Sequence, residues 1–308
     1  MNILITGGIG FIGANLVKKL KKNNNHKIVI VDNFSTGSSK YLKNYKVKIY
    51  KGDIKNYKFL EKCFNNIDCV IHLAGHTRVV DSIKNPMYNF KENLIGTLNL
   101  LDISRRKKVK NFIFSSSGGA LMDEKRTTSS EKMLPSPTSP YGASKLSCEA
   151  YCMSFSKSYS MNIKCLRFSN VYGPESWHKD SIVATLFKNI LKNKITTIYG
   201  DGTQTRDFVY VGDICSAIIR LINYKYNGIV NIGAGKSYNL KQLIKKAKKI
   251  TKYKLKIKNS KFRKGEIRKA QQDISKVASL IKFKANYNFE EGLKKTWEWF
   301  VLYNKKKN

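Results

Sequence analysis

Tyr141 and Lys145 stand four residues apart, a spacing that puts a phenol and an ammonium on one face of a helix. A phenol with an ordinary pKa near ~10 is a poor base at neutral pH, but a nearby ammonium and a positive nicotinamide ring both favour the phenolate. A serine hydroxyl in reach can hold or relay the proton of a substrate hydroxyl while hydride leaves the same carbon for the nicotinamide. This is machinery for turning an alcohol into a ketone. The spacing alone is weak, because 17 tyrosines and 49 lysines in 308 residues give about three such pairs by chance. Context carries it. The apolar run 111–115 leads into Ser115-Ser116-Ser117-Gly118-Gly119, and the pair opens the helical stretch that follows. In an open α/β sheet that is the carboxyl edge, where ligands bind.

A second group of residues sits at the amino end. Thr6-Gly7-Gly8-Ile9-Gly10-Phe11-Ile12-Gly13 follows a strand-like run directly and opens a helical one. Gly7, Gly10 and Gly13 allow a tight turn, close approach to a pyrophosphate and close helix–strand packing, while the N–H groups that start the helix, from Phe11 and Ile12 on, face the anion. The next apolar run ends at Asp32, nineteen residues after Gly13, where a carboxylate can accept from ribose hydroxyls. No arginine follows Asp32 closely, which favours NAD over NADP.

The elements that must position these residues alternate. Short apolar runs at 3–6, 27–31, 48–50, 69–73, 111–115 and 164–168 are separated by stretches of helical period at 11–22, 57–64, 88–105 and 141–159. Continuous apolar strands between helices imply a parallel sheet covered on both faces, a doubly wound α/β fold. The proline cluster Pro135, Pro137 and Pro140 lies in the loop expected between the serine strand and the tyrosine helix. Another helix and strand are expected at 213–223 and 229–232, and an amphipathic helix with its lysines in water at 239–249. The expected division is a dinucleotide-binding Rossmann domain over 1–170, with 205–235 returning to it, and a smaller α+β domain from 171–204 and 236–308.

Many ordered motifs together resemble the NAD-dependent epimerase/dehydratase family of extended short-chain dehydrogenase/reductases, and within it most resemble the UDP-glucose 4-epimerases. They include Thr6–Gly13, Val31-Asp32-Asn33-Phe34-Ser35-Thr36-Gly37, Gly52-Asp53-Ile54, His72-Leu73-Ala74-Gly75, Asn93-Leu94-Ile95-Gly96-Thr97, Pro140–Lys145, Arg167–Pro174, Gly200–Val211 and Asn231–Gly235. The resemblance implies that Asp32, Asn33, Ser35 and Thr36 hold the adenosine half of NAD, and that Asp53 and Ile54 flank adenine. Leu73, Ala74, Gly75 and Asn93 line the nicotinamide half, with Ser115, Phe168, Tyr141 and Lys145 also touching the cofactor. Asn170, Arg206 and Arg263 grip the diphosphate of a UDP-sugar, where the guanidinium fork pairs two oxygens at once. Tyr199 lies near the nucleobase, and Ala270 stands where the family has a gatekeeper beside the sugar 2-substituent. Of the serines, Ser116 is the first candidate for the catalytic hydroxyl and Ser117 the second, with Ser117 also facing substrate. No metal is implied, and the family often forms homodimers.

Two departures bear on activity. Ala120-Leu121-Met122-Asp123 replaces the family's Tyr-Gly after the serine strand, so the loop over the sugar differs. Gly118 and Gly119 occupy the places where related dehydratases carry an Asp-Glu pair for eliminating water. The expected reaction is therefore 4-epimerisation of UDP-glucose and UDP-galactose through a transient 4-keto sugar, extending to the N-acetylated sugars. The alternatives are a nucleotide-sugar dehydratase or decarboxylase and, remotely, a silent Rossmann protein binding nucleic acid through its charge.

That charge is a formal +37, from 58 Lys+Arg against 21 Asp+Glu. Only nine of the 58 are arginines, and the lysines are spread over the whole length. A nucleic-acid binder needs a patch or a recognised motif, and neither zinc-finger spacing nor an arginine-rich segment is present. With 42% hydrophobic residues the chain can bury a core. No apolar run spans a bilayer, no secretory leader is expected from the residues before the first strand, and the six cysteines form no Cys-x-x-Cys pair. Reduced core cysteines and a cytoplasmic location are expected.

Overall fold

A computed structural model describes residues 1–23, 26–122, 128–262 and 268–306. Seven strands form one parallel sheet: β1 (Asn2–Thr6), β2 (Lys27–Asp32), β3 (Lys48–Lys51), β4 (Cys69–His72), β5 (Asn111–Ser117), β7 (Asn162–Phe168) and β11 (Gly228–Ile232). Between β5 and β7 comes the two-residue β6 (Thr128–Ser129), and β8 (Asn170–Tyr172), β9 (Thr196–Tyr199) and β10 (Thr205–Tyr210) precede β11. The order across the sheet is β3-β2-β1-β4-β5-β7-β11. It reverses between β1 and β4, the crevice where doubly wound folds receive ligands.

Alternate residues of each strand feed opposite faces. Ile3 and Ile5 join one apolar cluster and Leu4 the other, and Ile113 is likewise separated from Phe112 and Phe114. This is why the central strands β1 and β4 read as continuous apolar runs. The covering helices are α1 (Phe11–Asn23), α2 (Tyr57–Glu61), α3 (Val79–Lys84), α4 (Pro86–Phe90), α5 (Gly96–Arg106), α6 (Pro140–Ser158), α7 (Ile182–Leu191) and α8 (Val211–Ile222).

The stretch expected as one helix over 88–105 is three pieces. Asn85 caps α4 by accepting from the Tyr88 N–H at 3.0 Å, Pro86 takes the first turn, and Lys91–Ile95 is a wide π turn before α5. The wide turn adds a residue and rolls Asn93 inward, where it is 3% exposed.

The remaining elements are β12 (Ser237–Asn239), α9 (Leu240–Thr251), β13 (Ile257–Ser260), β14 (Gln271–Gln272), α10 (Ser275–Ile281) and α11 (Phe289–Lys305). β10 pairs with β8 in parallel and with β12 antiparallel, β9 pairs with β13, and β6 with β14. Within 205–235, β11 extends the large sheet and α8 packs on α1, whereas β10 is the middle strand of the small sheet. Phe208 stacks on Phe289 at 5.0 Å, and Tyr238 on the same ring at 4.5 Å, joining the small sheet to α11. Residues of both regions share one apolar cluster. α9 starts on an Asn239–Gln242 capping box and turns its lysines outward, as its periodicity requires.

Candidate active site

The glycine turn is built against the end of β4. Gly7 has φ +69°, and a Cβ there would lie 2.8 Å from the Ala74 nitrogen; one at Gly13 would lie 2.2 Å from the Gly7 carbonyl oxygen. Side chains at these positions would fill the space above the turn or push α1 off the sheet. The Gly10 N–H donates to the Gly7 carbonyl at 3.1 Å, and Ala14 N–H to Gly10 at 2.9 Å, so α1 begins with its first N–H groups facing the crevice.

Asp32 closes β2 beside this turn. Its carboxylate accepts from the Ile9 N–H at 3.3 Å and the Phe34 N–H at 2.9 Å. Burial raises its pKa, and these two backbone donors oppose the rise. Asn33, Ser35 and Thr36 lie exposed on the next loop, which folds back so that the Ser38 N–H reaches the Ile9 carbonyl at 3.0 Å. Asp53 accepts from the Lys55 N–H at 2.8 Å, and Ile54 is buried against Gly96.

Across the crevice, α6 brings its own groups. Ser139 accepts from the Gly142 N–H at 3.2 Å, Pro140 fits the first turn, and the Tyr141 N–H donates to Ser82 at 3.1 Å. The helix start is therefore fixed in angle and depth. Tyr141 is 8% exposed, and burial pushes its phenol up to about 12; the neighbouring Ser117 hydroxyl pulls the other way. Lys145 donates to the Ser115 carbonyl at 2.8 Å with its ammonium 4.6 Å above the Phe114 ring, and burial lowers its pKa. A Cβ on Gly75 would stand 3.6 Å from this ammonium, so the loop after β4 and α6 meet here. Asn93 accepts from the His76 N–H at 2.7 Å and donates to Ser144 on α6 at 2.9 Å.

The serine preference is reversed. Strand β5 continues through Ser117, so Ser115 and Ser117 share one face and Ser116 takes the other. Ser115 donates to the His72 carbonyl at 2.9 Å, Ser117 meets Tyr141, and the Ser116 hydroxyl is buried without a hydrogen-bond partner. Ser117, not Ser116, is the hydroxyl beside the phenol.

The sequence reading missed what braces α6. Glu149 and Arg167 form a buried two-pronged ion pair, 2.9 and 2.7 Å, between α6 and β7. A lone acid one turn beyond Lys145 and an arginine inside an apolar strand were the available signal. Ser82 beneath Tyr141 had none.

Other expected residues lie on the later strands. Phe168 ends β7 and accepts from the Gly118 N–H at 2.8 Å through its carbonyl. Asn170 opens β8 opposite Phe208, Arg206 lies on β10 opposite Tyr238, and Ala270 donates through its N–H to the Thr205 carbonyl at 3.2 Å, beside Arg206. Tyr199 ends β9, outside the large sheet, and Arg263 lies outside the described residues. Among the described residues no group of three His, Cys, Asp or Glu side chains could hold a metal.

The sequence model of the NAD dependent epimerase/dehydratase family matches residues 3–233, covering the glycine turn, Asp32, Ser117, Tyr141 and Lys145. The chain belongs to that family. This epimerase/dehydratase is 36% identical to a putative UDP-glucose 4-epimerase of Methanocaldococcus jannaschii, over 98% of this chain and 99% of that one. Its fold is similar to the crystal structure of UDP-glucose 4-epimerase with UDP-glucose from Thermotoga maritima, with TM-score 0.94 and 36% identity over 99% and 100% of the two chains. It is also similar to a UDP-N-acetylglucosamine 4-epimerase from Methanobrevibacter ruminantium in complex with UDP-N-acetylmuramic acid, with TM-score 0.92 and 34% identity over 98% of each. As an epimerase/dehydratase it is NAD-dependent, and its own residues suit that cofactor: side-chain-free glycines under the pyrophosphate path and a carboxylate at the end of β2.

Proposed function

We propose that the protein is a UDP-hexose 4-epimerase in which Tyr141, Ser117 and Lys145 react and Asp32, the glycine turn and the Leu73–Gly75 loop hold the dinucleotide. The observation that carries this reading is Ser117 beside Tyr141, with Lys145 one turn on in the same helix and Gly118 and Gly119 directly after the serine. Ser117 bridges the sugar 4-hydroxyl and the phenol, and Tyr141 takes the proton as its phenolate. Lys145 stabilises that phenolate by its charge. Bound NAD would supply a reversible hydride acceptor for C4. With no acid or base at 118 and 119 to expel water from the sugar, the 4-keto hexose can only turn over in the site, and Tyr141 gives the proton back when the carbonyl is reduced on its other face.

In this reading Asn170, Arg206 and Arg263 bind the diphosphate, Tyr199 lies by the nucleobase, and 171–204 with 236–308 form the sugar-nucleotide domain. Ala270 leaves room beside the 2-substituent, so N-acetylated hexoses are substrates. The test is to incubate the protein with UDP-glucose and UDP-N-acetylglucosamine: galacto products are expected, and a 4-keto-6-deoxy product overturns the assignment. Ala270→Tyr should depress the N-acetyl reaction selectively, and an equal loss on both sugars removes that role.

The same proposal makes the protein a cytoplasmic homodimer. All six cysteines are free and buried, which suits a reducing compartment, and no described helix is long and apolar enough to cross a membrane. Val79, Val80, Ile83, Met87, Tyr88 and Phe90 expose an apolar face on α3 and α4 that suits a second copy. Sedimentation of a monomer at micromolar concentration contradicts the dimer.

A further inference from the structure

One buried titratable group has no task in this mechanism. His72 ends β4, is 1% exposed, and hydrogen-bonds through both ring nitrogens. Nδ1 lies 2.8 Å from the Thr6 hydroxyl, and Nε2 lies 2.9 Å from the Thr97 hydroxyl. The neighbours fix the direction of every bond. Thr97 donates its single proton to the Asn93 carbonyl at 2.6 Å, so its oxygen must accept from Nε2–H. Nδ1 is then the acceptor, Thr6 donates to it, and the Thr6 oxygen accepts the Ala74 N–H at 3.3 Å.

The line continues at both ends. Thr6 precedes Gly7, and Ala74 is the atom group against which the glycine turn closes. At the other end the Asn93 side chain holds the His76 N–H and donates to Ser144, whose hydroxyl donates to the Tyr141 carbonyl at 2.8 Å. Two runs of hydrogen bonds thus meet at Asn93, one from the glycine turn ending on its backbone carbonyl and one leaving its side-chain amide for the backbone of Tyr141. A second ring proton breaks the first, because Thr6 is then left without an acceptor. Burial, and secondarily the Lys145 ammonium, hold the ring neutral, with its pKa pushed down to about 3.

We propose that His72 is a positioning residue: a permanently neutral imidazole, protonated on Nε2, that locks the Leu73–Gly75 wall of the nicotinamide site to Asn93 and α6 and thereby sets how tightly the dinucleotide is held. The role rests on the reading of Tyr141, Lys145 and the glycine turn given above, but its test does not need turnover of any sugar.

Nitrogen NMR of the full-length protein should show His72 with its proton on Nε2 and no titration from about pH 8 to about pH 5, where an ordinary histidine titrates. An Nδ1–H tautomer, or titration in that range, overturns the proposal. His72→Leu should weaken NAD binding about tenfold or more, the order expected for one lost buried hydrogen bond, while UDP binding stays within about twofold. His72→Gln, which keeps an acceptor and a donor, should recover part of the loss. Thr6→Val and Thr97→Val act through one ring, so their combined effect on NAD affinity should fall short of the product of the two. Should His72→Leu fail to fold, the two threonine variants decide. Unchanged NAD affinity, equal loss of NAD and UDP affinity, or independent threonine effects each refute it. A wild-type protein that binds as described but epimerises no UDP-hexose refutes the functional reading alone.

Discussion

In the proposed mechanism Tyr141 must give up a proton that its surroundings hold firmly. Burial lifts the phenol to about 12, and Ser117 is the neighbour that opposes the lift. The positive ring of a bound nicotinamide would add a second opposing influence, so the phenol should titrate lower in the loaded enzyme. Tyr141→Phe should therefore cost about 10³-fold in kcat while NAD binding and the melting temperature hold, a result that steady-state kinetics and calorimetry check. The serines separate more sharply. Ser117→Ala removes the hydroxyl between phenol and substrate and should cost about 10- to 100-fold in kcat. Ser116→Ala removes a buried hydroxyl with no partner, and should leave activity intact and stability unchanged or raised by up to ~1 kcal/mol. A large loss in the Ser116 variant contradicts the geometry. The sequence could identify the Ser-Ser-Ser run but not its phase: the apolar run stops at Ser115, whereas the strand continues in register to Ser117 beside Phe168. One residue of phase decides which hydroxyl faces the phenol.

The elements most visible in the sequence are those dictated by apolar burial alone. β1, β2, β4, β5 and β7 are buried on both faces, so each reads as an apolar run, broken only in β7 by the buried Lys164 and Arg167, and the glycines of the first turn are required by close backbone approach. Other elements depend on contacts distant in sequence. β6 and β14 are two residues each and exist because they pair with each other, and the Lys91–Ile95 π turn differs from an α-helix by one residue per turn that periodicity cannot resolve. Asn93 is aimed by that extra residue, so its inward side chain was legible only through family resemblance. The α1 entry offers a test at this scale. Gly13→Ala places a methyl 2.2 Å from a backbone oxygen, which cannot swing aside, so α1 must shift. The expected result is a loss of ~1–3 kcal/mol in unfolding free energy and strongly weakened NAD binding. A variant that binds NAD normally means that the helix can move without opening the turn.

For the whole molecule, two quantities integrate over many residues. The first is stability in acid. His72 has an unfolded value of 6.5 and a folded value of about 3, so between these the unfolded chain binds a proton that the native protein refuses. Stability is complete above the upper value and is lost as pH falls towards the lower one, by ~2 kcal/mol at about pH 5. His178, held at about 4 by burial, acts in the same direction. Asp32, Asp207 and Asp213 have raised values, so they act oppositely and nearer their own lower range. Urea unfolding should thus show a clear loss from about pH 7 to about pH 5 that shrinks in His72→Gln.

The second is the charge of +37. Lys241, Lys245, Lys248 and Lys249 stand on the outer side of α9, and among the described acids Glu290 pairs with Lys246 and Lys249. The groups proposed to hold phosphate are instead glycine N–H groups, Asn170 and arginines, so these surface lysines have no assigned contact with it. Their field still reaches beyond the surface, over a screening length of ~10 Å at 0.1 M salt. A nucleotide sugar carries two negative charges on its diphosphate, and a positive field raises its encounter rate without changing the bound geometry. Raising ionic strength should therefore lower kcat/KM several-fold and leave kcat constant. A fall in kcat places some of this charge at the reacting groups, and a flat kcat/KM leaves the lysines with solvation alone.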